Sequence, residues 1–214
     1  LFKETDSDMA DIVMKLEPNS SFVEDKRLDG FDSEDIAVEL ISVHSPNKGA
    51  DGWRDHCRAT WRVKCPLSIA VQVLRHRSGS FNMVSGRYKT IRQDLVSQFE
   101  DVNKIANKIN LVKDDLLTLT RSGNNSINNY INFMKNIKLL KNDKKISNSE
   151  YKRLREISRY VLPEGRLTEL YITFYLKDFY NYVNLRESEH AQLEHSLLCF
   201  KMRTLLESEI GEIN

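Results

Sequence analysis

Between residues 57 and 65 apolar and polar side chains alternate without a break. Cys57, Ala59, Trp61, Val63 and Cys65 fall on one side, and Arg58, Thr60, Arg62 and Lys64 on the other. That period of two predicts a half-buried strand. Pro66 then suits the first turn of a helix, and "LSIAVQVLRH" continues it with alanine and leucine on the buried side. Ser78, Gly79, Ser80 and Asn82 read as a loop. Upstream, "DSEDIAVELISV" (32 to 43) opens with a capping Asp32 or Ser33 and carries Ile36, Leu40 and Val43 at helical spacing, which predicts a helix. "HSPNKGADG" (44 to 52) reads as a loop. Downstream, 100 to 121 and 126 to 142 read as two helices joined at "SGNN", followed by a polar hinge over 141 to 149. "SEYKRLREISRYV" begins another helix before Leu162-Pro163, "TELYITFY" (168 to 175) reads as a strand, and the last 35 residues are helical with a joint near Arg186 to Ser188. The sum is an α+β domain without internal repeats.

Composition narrows the class. A chain of 214 residues with 40% hydrophobic and 29% charged residues has the make-up of an ordinary soluble globular domain. No apolar run approaches the ~20 residues that span a bilayer, and the acidic first residues are unlike a signal peptide. Three cysteines, Cys57, Cys65 and Cys199, make an odd number without Cys-x-x-Cys spacing, which argues against a disulfide framework or a structural zinc and fits a reducing, cytoplasmic compartment. All three sit in apolar surroundings and are expected as core thiols. The five histidines show no metal spacing, His190 and His195 being five apart rather than four. No metal is expected.

Charge changes the picture more. The net charge of +1 hides twelve Asp or Glu against four Lys or Arg in residues 1 to 43, and ten Lys or Arg against two Asp in residues 44 to 92. Such an island points to a local anion site. Its centre is "RHRSGSFNMVSGRY" (75 to 88), where Arg75, Arg77 and Arg87 supply planar paired donors that match phosphate or carboxylate. Ser78, Ser80 and Ser85 add hydroxyls, and Gly79 and Gly86 allow close approach of the backbone. This composition predicts a phosphate-bearing ligand and leaves open a nucleic-acid backbone, a nucleotide or a dinucleotide. A nucleic-acid module would want a basic stripe with stacking aromatics and a high pI; the pI of about 7.9 counts against it.

"RHRSGSFNMVS" is Arg-His-Arg, seven residues, then serine, and resembles the signature of flavin-dependent thymidylate synthases. "WRVKCPLSIAVQVLRHR" before it is similar to the family's strand, Pro-started helix and glutamine, and "SGRY" follows it as in the family. "SRYVLP" (158 to 163) and "NYVNLRESEHAQLE" (181 to 194) resemble the two C-terminal motifs in the expected order. The resemblance covers about residues 53 to 200 of one domain spanning 1–214, with 1 to 50 divergent. It implies an α/β (α+β) fold with a central, mainly antiparallel sheet flanked by helices and a helical C-terminal part, assembled as a homotetramer with shared active sites. It also implies methylation of dUMP to dTMP, with carbon from methylenetetrahydrofolate and hydride from FAD reduced by NADPH, and no cysteine nucleophile. Neither nucleic acid nor membrane is among the implied partners.

Carried over by position, the resemblance assigns Gln72, Arg75, Ser85, Gly86 and Arg87 to the dUMP site and Arg159 to its phosphate. Arg186 falls at the uracil carbonyl as the catalytic cation, where fixed positive charge favours loss of the ring imide proton. Arg75, His76, Arg77, Asn181 and His190 fall to FAD. Three departures stand out. "ADGWRDH" replaces most of a family H-x-x-P-F-E-H segment, so only His56 matches and the contact at Gly52 is altered. Met83 stands where many members place Glu or Gln near the flavin. "YLK" (175 to 177) replaces "NAR", which leaves Lys177 as the cation for a flavin phosphate. A flavoprotein of this fold without methyl transfer is the alternative these changes raise.

Overall fold

The computed structural model describes residues 35–44, 57–85 and 113–211. Four strands form one sheet in the order β1-β2-β4-β3: β1 (Ala37–His44), β2 (Arg58–Pro66), β3 (Ser80–Met83) and β4 (Leu167–Tyr175). β1 pairs antiparallel with β2, and β3 with β4. Between β2 and β4, Leu176 N donates to Cys57 O and Leu67 N to Arg166 O, so the two ends run in opposite senses and this pair is antiparallel too. Among the described residues five helices accompany the sheet: α1 (Leu67–Val73), α2 (Lys113–Asn142), α3 (Asn148–Ile157), α4 (Leu176–Arg186) and α5 (Leu193–Gly211). No helix among the described residues is long and apolar enough to cross a membrane.

The chain divides into two compact units. The first holds the sheet with most of α1, and α4 and α5. The alternation in β2 places Cys57, Ala59, Trp61, Val63 and Cys65 at 0% exposure, and Leu170, Ile172 and Phe174 of β4 complete the buried face. Onto it pack Phe179, Tyr182 and Val183 of α4 and Leu198, Cys199 and Met202 of α5. Trp61 stacks on Phe179 with ring centroids 4.5 Å apart, and its indole N–H donates to Met202 O at 3.2 Å. On the opposite face Arg62 sits between its cross-strand neighbours, 2.9 Å from Glu169 and 3.6 Å from Glu39.

The second unit contains α2, α3 and the 3₁₀ turn Ser158–Val161. Ile127, Tyr130, Met134 and Ile137 repeat at intervals of three and four along α2 and close on Leu162, with Ile131, Ile146, Tyr151 and Leu154 around them. α3 opens on a capping box: Glu150 N donates to Ser147 Oγ at 3.2 Å and Ser147 N to Glu150 Oε2 at 2.8 Å.

Three expectations are corrected. Residues 37–44 are a strand, not the end of a helix. The register of β1 on β2 shifts between Leu40 and Ser42. That bulge inserts one residue, so Val38, Leu40 and Val43 all meet the core, and the three-residue step from Leu40 to Val43 imitates helical spacing. Second, α2 runs unbroken through Ser122-Gly123-Asn124-Asn125. Glycine costs about 1 kcal/mol in a helix but removes no N–H, and propensity yields to packing. Third, Ser80 and Asn82 lie within β3, not in a loop: Phe81 pairs with Ile172 and turns its ring to the core.

Gly79 precedes β3 in a tight place. A Cβ there would lie 2.6 Å from both Phe174 and Phe81 ring atoms. Gly79→Ala is therefore expected to lower stability by about 1–3 kcal/mol through overpacking, read as a lower urea midpoint with unchanged m-value. An unshifted midpoint would show that the two rings give way freely.

Candidate functional site

Helix α1 ends at Val73, and the following turns, closed by His76 N to Val73 O and Gly79 N to His76 O, present residues 75 to 78 beyond it. Arg75 and Arg77 are exposed there. His76 is half-buried with its ring edge against Tyr182, centroids 4.7 Å apart.

The joint between α4 and α5 comes to the same place. Arg186 closes α4, and its Nε donates to His76 Nε2 at 3.0 Å. The acceptor role makes His76 neutral, with its proton on Nδ1. Burial, and then the Arg186 charge, hold its pKa below the ordinary histidine range. Arg186 is fixed from behind. Its carbonyl accepts from Ser196 Oγ at 2.8 Å, and the next residue, Glu187, is gripped by Arg203 through Nε at 3.1 Å to both carboxylate oxygens. Glu187 is buried, so the doubly bonded Arg203 guanidinium compensates a charge held out of water. The guanidinium thus has a rigid base and one side bonded, with its terminal nitrogens making no hydrogen bond among the described residues.

Gln72 joins the cluster from the exposed side of α1. Its Nε2 donates to Gln192 Oε1 at 2.7 Å, and its Oε1 faces His195 Nδ1 at 3.3 Å. His195 is fully buried, and its Nε2 meets Tyr182 Oη at 2.8 Å. The tautomer with the proton on Nδ1 satisfies every partner: Tyr182 O–H donates to Nε2, Nδ1–H to Gln72, and Gln72 N–H to Gln192. Burial, and then the charge of Arg186, push the His195 pKa down to about 3, so the ring is neutral at physiological pH. Neither His195 nor Gln192 was expected in the site. The available signal was their three-residue spacing at the start of α5, where Gln192 just precedes the helix, its carbonyl accepting from His195 N, and His195 lies in the first turn.

The other expected residues are more dispersed. Lys177 and Asn181 lie one turn apart on the exposed side of α4, and His190 is exposed, 3.9 Å from Glu189. Met83 is half-buried and packs on the core, so its side chain serves the sheet. Ser85 is exposed and belongs with the second unit, as does Arg159 in the 3₁₀ turn. Arg159 is half-buried, and its Nε is buried without a hydrogen-bond partner among the described residues. Gly52, His56, Gly86 and Arg87 lie outside the described residues. The thiols are core groups as expected: all three are free and buried, and burial pushes Cys65 up to about 12 and Cys199 higher. Such thiols are poor nucleophiles. Among the described residues no three His, Cys, Asp or Glu side chains gather as a metal site.

The two stretches that meet at His76 and Arg186 are those that resemble motifs of the flavin-dependent thymidylate synthases, and residues 12–210 match the family profile described as thymidylate synthase complementing protein. The chain belongs to that family. It is 31% identical over 147 residues to the flavin-dependent thymidylate synthase of Thermosipho africanus, covering 65% of this chain and 59% of that protein. With the probable flavin-dependent thymidylate synthase of Paramecium bursaria Chlorella virus 1 it shares 27% identity over 185 residues, 76% of this chain and 80% of the viral protein. The matched part spans about six tenths of the length of the Thermosipho africanus relative. Among solved structures the fold is similar to that of the UMP/dUMP methylase PolB from Streptomyces cacaoi, with a TM-score of 0.54 at 19% identity, covering 81% of this chain and 89% of that one.

Proposed function

We propose that this chain is a flavin-dependent thymidylate synthase that methylates dUMP to dTMP. The observation that carries the reading is the bond between His76 and Arg186 beside the Gln72–His195 pair, because it joins both motif regions in one cluster although 110 residues separate them. The donor set fits FAD: Arg75 and Arg77 are exposed, make no ion pair with a described carboxylate, and carry the planar paired donors that match phosphate. Those two arginines with His76, Asn181, His190 and Lys177 would hold the cofactor. When bound, FAD reduced by NADPH supplies the hydride, and methylenetetrahydrofolate supplies the carbon.

The protein's part is binding and polarisation. Gln72, clamped between His195 and Gln192, has a fixed amide to offer the nucleotide, and the resemblance assigns Arg75, Ser85, Gly86 and Arg87 to the same ligand. Arg159 offers an unpartnered Nε for the 5′-phosphate. Arg186 stabilises charge that develops on the uracil ring, and its rigid base keeps that cation in place without reorganisation. The buried thiols agree with chemistry that uses no cysteine nucleophile. The family match runs through both compact units, which supports one functional domain. Assembly as a homotetramer is supported by apolar side chains left on the surface, among them Leu119 at 68%, Leu139 at 61% and Tyr160 at 77% exposure. The purified protein is expected to be yellow and to form dTMP from dUMP, methylenetetrahydrofolate and NADPH. A flavin-loaded preparation that oxidises NADPH but forms no dTMP would leave only a flavoprotein that has lost methyl transfer.

A further inference from the structure

Along α3 and into the 3₁₀ turn, Tyr151, Lys152, Arg155, Glu156 and Arg159 recur at steps of three and four, which places them on one helix face. Together with Lys141 from the last turn of α2 they line a cavity of about 400 Å³, a size typical of small-molecule sites. Four of these side chains are cations and one is a carboxylate. Glu156 is drawn to Arg153, 3.4 Å away. Lys141, Lys152, Arg155 and Arg159 make no ion pair with any described carboxylate.

Like charges three and four apart on a helix repel one another. Here the stripe is also held in shape. Tyr151 carries Lys141 Nζ 4.5 Å and Arg155 Cζ 5.8 Å from its ring centre, so one aromatic side chain gathers two cations from different helices. Arg159 adds a buried Nε with no described partner. A solvated basic face would show none of this, since its ammonium and guanidinium groups would be spread on a convex surface with water at every donor. A concave wall of cations without a carboxylate partner among the described residues, around a donor that is likewise unpartnered there, suits an anion.

We propose that this cavity is a phosphate site in which Lys141, Lys152 and Arg155 act together with Arg159 on a ligand carrying two oxyanionic groups. Seven residues separate Lys152 from Arg159, about 10 Å of helix, longer than one phosphate requires. Arg155 and Arg159 hold one oxyanion, and Lys152 and Lys141 the next. The proposal deepens the thymidylate synthase reading at Arg159, the residue the two share. The phosphates of a dinucleotide reductant supply that chemistry, whereas the single phosphate of dUMP, which Arg159 receives, would fill only the Arg155–Arg159 end.

Inorganic pyrophosphate is the probe, titrated by calorimetry into the full chain and into Lys152→Gln/Arg155→Gln. Arg153→Gln, on another side of α3, is the control, and thermal melting confirms that each variant is folded. The double variant is expected to bind pyrophosphate at least tenfold more weakly, with a shallower salt dependence, while Arg153→Gln changes affinity less than twofold. Repeating the titration with dUMP, NADP⁺ and NAD⁺ separates the sources. A loss for both dinucleotides assigns the two oxyanions to their pyrophosphate, and a loss for NADP⁺ but not NAD⁺ assigns the second oxyanion to the 2′-phosphate of the reductant. A loss for dUMP as large as that for pyrophosphate would overturn the two-oxyanion reading. Equal pyrophosphate affinity for the double variant and the wild-type chain would overturn the proposal, as would an equal loss in Arg153→Gln. Pyrophosphate binding without dTMP formation would sink the synthase reading alone, and dTMP formation without pyrophosphate binding would sink this one alone.

Discussion

Arg186→Ala is expected to lower the maximal rate of dTMP formation tenfold or more at saturating dUMP, whereas Arg159→Ala chiefly raises the Michaelis constant for dUMP. The difference follows from when each cation is used. In the proposed site Arg159 would meet a phosphate present equally in ground and transition states, and loss of such uniform binding leaves turnover intact. Arg186 would meet charge that grows during reaction, and loss of that interaction lowers the turnover number. A charge-assisted hydrogen bond is worth about 1.5–3 kcal/mol, or roughly tenfold and upward. A second readout belongs to Arg186 alone. Its charge helps to hold the His76 pKa down, so in Arg186→Ala the imidazole should titrate at higher pH, visible by NMR. Arg186→Lys restores the charge without the planar fork and should recover only part of the rate. Normal turnover in Arg186→Ala with only weakened dUMP affinity would overturn the catalytic assignment.

The second large effect is on stability against acid. His195 is neutral and buried in the fold with its pKa lowered to about 3, while in the unfolded chain it titrates near the ordinary value of about 6.5. Its contribution is therefore complete above about pH 6.5 and is lost as the pH falls from there toward 3. In that window the unfolded state binds one proton more than the native state, and the slope is about 1.4 kcal/mol per pH unit. His195→Gln removes the titrating ring and keeps a polar side chain beside Tyr182 and Gln72. Urea unfolding at several pH values should show the wild-type free energy falling more steeply below pH 6.5 than that of the variant. Parallel curves would mean that the ring takes up its proton without leaving the core. The same variant loosens the clamp on Gln72, so its Michaelis constant for dUMP should rise even at neutral pH.

Much of the architecture was readable from local pattern. A strand buried on one face writes itself as alternation, so β2 was visible in Cys57 to Cys65, and β4 in its β-branched and aromatic run. The joint after Arg186 and the burial of the three cysteines were visible for the same reason: each depends on neighbours close in sequence. β1 was misread because a bulge changes the period of the pattern without changing the residue types. The break expected at Gly123 did not occur because a weak helix former lowers helix stability without forbidding a helix.

The site divides in the same way. The sequence by itself determined which donors exist, since motif residues from Gln72 to Arg77 and at Arg159 and Arg186 carry their chemistry in their side chains and their spacing marks the family. Only the tertiary structure decided which of them act together. The sheet and the α4–α5 joint bring His76 to Arg186, and Gln72 to His195 and Gln192, across more than 100 residues, while α3 gathers Lys152, Arg155 and Arg159 along one wall with Lys141. Burial did the rest. The same imidazole is an ordinary titrating group in an open chain and a neutral, directional one when water is excluded, and no local pattern in the sequence records which of the two it will be.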